Sequence, residues 1–69
     1  MRVIVATGKG LDTVVAKGKA ALVRYLEEDG GEVCFISWSE FPGYGRIEWY
    51  DRDANTRFAY DLEWVEVQQ

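Results

Sequence analysis

The sequence predicts a small α+β domain of the order β-α-β-β-β, in which one helix packs on an antiparallel sheet. Two patterns support this fold class. Between residues 11 and 26 the apolar residues recur at three- and four-residue steps, as on one side of a helix, whereas after residue 45 most of them alternate with polar residues, as on strands. Apolar residues form 48% of the 69-residue chain, as in globular proteins of one domain. We therefore expect a single domain over residues 1–69.

The first predicted elements are a strand and a helix. Residues 1–6 contain three consecutive β-branched residues, which favour a strand. A glycine-containing break over residues 7–10 separates this strand from the amphipathic segment 11–28, with Asp12 as the expected N-cap and Gly30 as a residue suited to end a helix. This pattern predicts a helix that packs its apolar side on the sheet.

An alternative interpretation of the same segment is two short strands, over residues 13–16 and 20–26, within an all-β SH3-like small barrel. In that case Asp29-Gly30 would form a hairpin turn. The alanines at positions 16, 20 and 21 favour the helix, because alanine is the best helix former and a poor strand residue.

Three antiparallel strands are predicted in the second part of the chain. Residues 32–38 are apolar on both faces, which predicts a central strand with Cys34, Ile36 and Trp38 on one face. A proline- and glycine-containing loop over residues 39–45 precedes a strand over 46–50.

The last predicted strand spans residues 57–67 and follows a turn over 51–56. Its shared apolar face contains four residues: Phe58, Tyr60, Leu62 and Trp64. Val65 and Val67 then continue the apolar character on the other face, which predicts a bulge or bend near Leu62–Trp64.

Charge is distributed unevenly along the chain. Residues 1–26 carry five basic residues and one acid, for a charge of +4, whereas residues 27–69 carry three basic residues and eleven acids, for −8. Nine of the ten aromatic residues also follow residue 34. The second part of the chain is therefore expected to form an acidic, aromatic-rich surface that attracts a basic partner.

No reaction centre is predicted. Histidine, the usual general base, is absent from the sequence, which excludes histidine-dependent triads and phosphohistidine chemistry. The single cysteine, Cys34, offers no internal disulfide and no zinc site. The spacing Asp51-x-Asp53-x-Asn55 resembles the start of a calcium-binding loop, but Thr56 and Leu62 replace the glycine and glutamate that such a loop needs. We expect no enzyme activity, no cofactor and no metal.

The function predicted from these patterns is a non-catalytic protein-binding module. Its predicted binding residues combine acids with aromatic anchors: Phe41, Tyr44, Glu48, Trp49, Asp51, Asp53, Asp61 and Glu63. A more specific hypothesis is a small acidic inhibitor of a nucleic-acid-handling protein. Anti-CRISPR and anti-restriction proteins encoded by phages or other mobile elements act in this way.

Two other functions are compatible with the sequence. A binder of nucleic acid or nucleotide would use the basic N-terminal part, with the predicted anion-binding residues Lys9, Lys17, Lys19 and Arg24. A structural subunit would bury its surplus aromatic residues in a homodimer or larger oligomer.

The cellular compartment and the absence of membrane contact are predicted from features that the sequence lacks. Its apolar runs are too short for a signal peptide or a bilayer span, and a lone cysteine is compatible with a reducing compartment. We expect a cytoplasmic protein without membrane contact.

Overall fold

A five-stranded antiparallel sheet with one helix on one face forms the fold seen in a computed structural model, which describes residues 1–39 and 43–68. The sequence of elements is β1 (Arg2–Thr7), β2 (Val14–Ala16), α1 (Lys19–Glu28), β3 (Gly31–Trp38), β4 (Tyr44–Asp51) and β5 (Thr56–Glu66). The spatial order of the strands is β2-β1-β5-β4-β3. The predicted α+β class is confirmed, and the all-β barrel alternative is wrong because residues 19–28 form a helix.

The hydrophobic core lies between α1 and the face of the sheet that α1 covers. Leu22 and Leu26 are the buried residues of the helix. Among the residues that the structure describes, four large side chains are almost completely buried: Ile4, Leu22, Ile47 and Leu62. The predicted shared face of the last strand is confirmed, because its four apolar residues belong to this core or pack against it.

The segment before the helix differs from the prediction. Residues 14–16 form strand β2, which pairs with β1 through Ile4 and Ala16 and through Ala6 and Val14. The helix begins only at Lys19, with Gly18 as its N-cap, so the prediction of Asp12 as N-cap is wrong. The physical reason is that the β-branched pair Val14-Val15 prefers a strand, whereas the alanines that favour a helix begin at residue 20.

The position of β3 also differs from the prediction. It is an edge strand, and the central strand is β5. The register of β3 on β4 shifts between Val33 and Phe35, which marks a β-bulge at Cys34. Because of the bulge, Cys34 is exposed and does not share the core face with Ile36 and Trp38, which pack against the core.

No bulge occurs at the predicted place in β5. Its pairing with β1 runs without interruption from Glu66 to Asp61, and its pairing with β4 is also continuous. Val65 lies opposite Val3 on the face away from the helix, so the apolar character there follows from ordinary strand alternation.

The link between β4 and β5 is a polar hairpin turn, as predicted for residues 51–56. The Asp51 carboxylate accepts hydrogen bonds from the backbone amides of Asp53 and Ala54, at 2.9 and 3.2 Å. Asn55 has a φ of 52°, a left-handed conformation that asparagine tolerates better than most residues.

In the part of the chain that the structure describes, no helix has both the length and the apolar character needed to cross a membrane.

Candidate functional site

The face of the sheet away from α1, here called the open face, is the candidate functional site. Residues that pair across neighbouring strands share a face, so the strand registers define its members. On the three strands β3, β4 and β5 they are Glu32, Phe35, Ser37, Tyr44, Arg46, Glu48, Tyr50, Arg57, Ala59, Asp61, Glu63 and Val65. On β1 and β2 they are Val3, Val5, Thr7 and Val15.

One row of the open face crosses four strands and combines an aromatic ring, a carboxylate and two valines. Tyr44 lies opposite Glu63, Glu63 lies opposite Val5, and Val5 lies opposite Val15. Tyr44 is 73% exposed and Val15 is 62% exposed. We call these four residues the exposed row. Tyr44 and Val15 lie at the two ends of this row, with β5 and β1 between them, and exposed apolar side chains on one face are candidates for contact with another molecule.

A network of ion pairs covers the part of the open face nearest β3. Glu48 accepts hydrogen bonds from Arg46 at 3.2 Å and from Arg57 at 2.9 Å. Arg46 also reaches Asp61 at 3.2 Å, and Arg52 pairs with Glu32 at 3.1 Å. These arginines compensate much of the acidic charge that the sequence places in this region.

The pKa of Glu48 reflects this network. The hydrogen bond from Arg46 and the positive charge of Arg57 lower the pKa of the Glu48 carboxyl, against the opposing effect of partial desolvation. The same hydrogen bond raises the pKa of the Arg46 guanidinium. Glu48 is therefore a structural partner of two arginines, and it is less available to a binding partner than its sequence position indicates.

The structure brings four of the predicted binding residues onto the open face: Tyr44, Glu48, Asp61 and Glu63. Asp61 is well exposed, with three quarters of its side chain accessible. Glu63 is exposed and forms no salt bridge within the described residues. Because Asp61 pairs with Arg46 at 3.2 Å, Glu63 is the predicted acid of the open face whose charge is not compensated by a salt bridge within the described residues.

The other predicted binding residues lie elsewhere. Trp49 is only 7% exposed and packs in the core against Tyr60, with ring centroids 4.9 Å apart, so it is not available as a surface anchor. Asp51 organises the β4–β5 turn, and Asp53 lies exposed in that turn. Phe41 falls outside the residues that the structure describes.

Twelve of the sixteen members of the open face are absent from the predicted binding residues, and the apolar residues Val5, Val15 and Phe35 are among these twelve. The helical repeat places Val15 in the helix, whereas the structure places it in β2. Phe35 is 45% exposed because the bulge at Cys34 turns it away from the core. The adjacent β-branched residues at positions 14 and 15 are the sequence signal for Val15. No residue type in 32–38 marks the bulge.

The predicted anion-binding residues are divided by the fold. Lys9 lies in the turn after β1, whereas Lys17 follows β2 at the opposite end of the same hairpin. Lys19 and Arg24 line a shallow depression on the helix that also contains Glu27 and Glu28. Acidic side chains therefore accompany Lys19 and Arg24 on this surface.

The described residues contain no group of three or more histidine, cysteine, aspartate or glutamate side chains arranged to hold a metal ion. Comparison with protein-family models, with curated proteins and with solved structures found no match for this chain. The function proposed for it therefore rests on the geometry of its surfaces.

Proposed function

We propose that this protein is a non-catalytic protein-binding module whose open face docks on a partner with a basic surface. One observation carries the proposal: Tyr44, 73% exposed, lies directly opposite the exposed carboxylate of Glu63 on a sheet face that α1 leaves uncovered. Tyrosine is enriched among residues that dominate binding energy, because its ring gives a large rigid contact and its hydroxyl can form a hydrogen bond.

The neighbours of Glu63 favour a basic side chain as the contacting group. Val5 and Tyr44 flank Glu63 on the two adjacent strands. A lysine or arginine of the partner could place its apolar stem over this valine and ring while its charge reaches the carboxylate. Asp61, one position along the same face of β5, pairs with Arg46, so Glu63 is the acid that this contact would use.

The ion-pair network gives this surface its expected specificity. Glu48 holds Arg46 and Arg57, and Asp61 also pairs with Arg46, so these positive charges are compensated within the surface and a basic partner would meet the carboxylate of Glu63. Rim charges of this kind mainly affect the association rate and its dependence on salt.

A finer form of the proposal is that the partner is a nucleic-acid-handling protein in the cytoplasm. Such proteins carry basic surfaces that bind phosphate, and a small acidic domain that docks there would act as an inhibitor. Support for this finer form comes from the net charge of −4 and the small size of the chain.

The proposal is tested by affinity capture from a lysate of the organism that encodes the chain. Three forms are compared by quantitative mass spectrometry: the wild type, a Tyr44→Ala/Glu63→Gln variant, and a Glu27→Gln/Glu28→Gln control. The control removes two exposed acids of α1, outside the open face.

The expected result is a protein that the wild type and the control recover in equal amounts and that the Tyr44→Ala/Glu63→Gln variant loses. Recovery should also fall as salt rises, because the contact is partly electrostatic. The same recovered proteins with all three forms would contradict docking through the open face.

A homo-oligomer is the second candidate function, and the exposed row supports it because a second copy could cover Tyr44 and Val15. Light scattering at high protein concentration separates the two. A monomer that still captures a partner supports the binding module. A dimer that dissociates in the Tyr44→Ala variant would instead favour the homo-oligomer as the function of the open face.

A further inference from the structure

A second site lies on the opposite side of the sheet. The C-terminal half of α1, the segment at residues 11–12 and the ends of β4 and β5 enclose a cleft of about 240 Å³. This volume is smaller than a pocket for a drug-sized ligand and suits a single small chemical group. The cleft is remote from the open face, so a ligand bound there would be a property of the protein beyond the proposed function and independent of it.

Four aromatic rings line the cleft. Trp49 packs between Tyr60 and Phe58, with ring centroids at 4.9 and 5.7 Å. Tyr60 is fixed by a 2.7 Å hydrogen bond from its hydroxyl to the backbone carbonyl of Asp12. Tyr25, the fourth ring, is 52% exposed and forms the rim. Three of the rings are thus held rigidly, and the fourth is accessible to a ligand.

Three carboxylates share the cleft with these rings: Asp12, Asp29 and Asp51. No lysine or arginine lines it, and none of the three forms a salt bridge within the described residues. Asp29 follows the last residue of α1, where the helix dipole adds further negative potential. The cleft therefore combines negative charge with aromatic surface.

The combination of aromatic rings and carboxylates in this cleft favours binding of an organic cation over a metal ion. The three aspartates do not form a metal-ligand group in the described structure, and aromatic rings are not ligands for hard cations. Rings beside carboxylates instead suit a weakly hydrated cation, whose methyl groups contact the rings while its charge is attracted to their faces and to the acids.

We propose that this cleft binds a methylated ammonium group, of the trimethylammonium type. A trimethylammonium group occurs both in a free small molecule such as choline and in a trimethylated lysine side chain. Tyr25 and the half-buried Phe58 supply the accessible ring surface. Trp49, packed between Phe58 and the buried Tyr60, supports Phe58 from beneath, and Asp12, Asp29 and Asp51 supply the negative charge.

The proposal is tested by NMR titration of the ¹⁵N-labelled intact chain. The probes are tetramethylammonium, choline, a peptide containing trimethyllysine, guanidinium, and 3,3-dimethylbutanol, which has the shape of choline without its charge. The readouts are the indole N–H of Trp49 and the backbone amide of Gly31, which both lie at the cleft.

The expected result is saturable shifts at these two positions with the methylated ammonium probes, and weak or absent shifts with 3,3-dimethylbutanol and guanidinium. The relative affinities of choline and the peptide identify the source of the group. Equal binding of the neutral alcohol or of guanidinium would overturn the proposal, as would an absence of shifts with every probe.

Two exposed residues of the cleft allow variants that keep the fold. Tyr25→Leu is expected to weaken binding of tetramethylammonium roughly two- to fivefold, and Asp29→Asn by a similar factor. Tyr44→Leu on the open face and Glu66→Gln at the last residue of β5 are the matched controls and should bind as the wild type does. Unchanged affinity in both cleft variants would also overturn the proposal.

Discussion

The hydroxyl of Tyr60, in the middle of β5, donates a 2.7 Å hydrogen bond to the backbone carbonyl of Asp12, 48 residues earlier in the chain. This bond ties the loop between β1 and β2 to the central strand of the sheet. Tyr60 is only 5% exposed, so its hydroxyl has little access to water and depends on this partner. The contact also explains why Asp12 belongs to a loop and not to the start of the helix.

The Tyr60→Phe variant should lower the free energy of unfolding by about 1 kcal/mol at neutral pH, because it removes one intramolecular hydrogen bond from a mostly buried site. Urea denaturation followed by tryptophan fluorescence measures the change. A loss near zero would show that the loop carbonyl is satisfied equally well by water. Tyr44→Phe, on the open face, is the control and should leave stability unchanged.

The stability of the fold at alkaline pH should depend on the ionisation of Tyr60. Burial raises the pKa of Tyr60 above its ordinary value of 10.0, so the folded state holds the phenolic proton more tightly than the unfolded state. The stabilising contribution is complete below about pH 10 and is lost as pH rises from there through the raised pKa. Stability measured above pH 10 should therefore fall less steeply in Tyr60→Phe than in the wild type. Equal slopes would contradict this assignment.

The Arg46→Gln variant should raise the pKa of Glu48 toward its ordinary value of 4.5, because the hydrogen bond from Arg46 is the largest cause of its lowered pKa. A pH titration of the Glu48 carboxyl carbon by ¹³C NMR measures this directly. In the wild type, the contribution of the ionised Glu48 to stability is present above pH 4.5 and is lost as pH falls through the lowered pKa.

Arg52→Gln is the control for that titration, since Arg52 pairs with Glu32 and not with Glu48. It should leave the Glu48 midpoint where the wild type has it. If Arg46→Gln and Arg52→Gln shift the midpoint equally, the cause is the general charge of the surface and not the specific pair.

The Gly45→Ala variant should destabilise the fold by about 1–3 kcal/mol. A Cβ atom at Gly45 would lie 2.5 Å from the Ser37 backbone oxygen and 2.9 Å from the Trp38 ring, so β3 and β4 would have to separate. Thermal or urea unfolding measures the loss. Gly18→Ala meets no atom within 4 Å and should change stability by no more than about 0.5 kcal/mol; equal effects of the two variants would contradict the packing of β3 on β4.

The fold class was predictable because most of the sheet follows a simple alternation. Phe58, Tyr60, Leu62 and Trp64 alternate with polar residues over a long strand, and that pattern survives intact in β5. The boundary of the helix was harder, because Val14 and Leu11 fit a helical repeat as well as they fit a loop and a strand. Their pairing with or packing against distant β1 and β5 decides the outcome.

The candidate site was predictable only in part. Alternation along the predicted last strand places Asp61 and Glu63 on one face, but it does not tell which face the helix covers. Trp49 therefore entered the predicted site although it belongs to the core. Tyr44 falls in the predicted loop over 39–45, whereas the structure places it at the start of β4. The pairing of Arg46 and Arg57 with Glu48 depends on the strand register, which the sequence alone does not specify.

Docking through the open face is tested most directly by the affinity of the purified chain for the partner that it captures. Isothermal titration should show that Tyr44→Ala binds that partner at least roughly tenfold more weakly than the wild type, since hot-spot residues contribute more than about 1 kcal/mol each. The Glu27→Gln/Glu28→Gln control, which changes two exposed acids of α1, should bind with the affinity of the wild type. Equal dissociation constants for the wild type and Tyr44→Ala would contradict a binding surface centred on the exposed row.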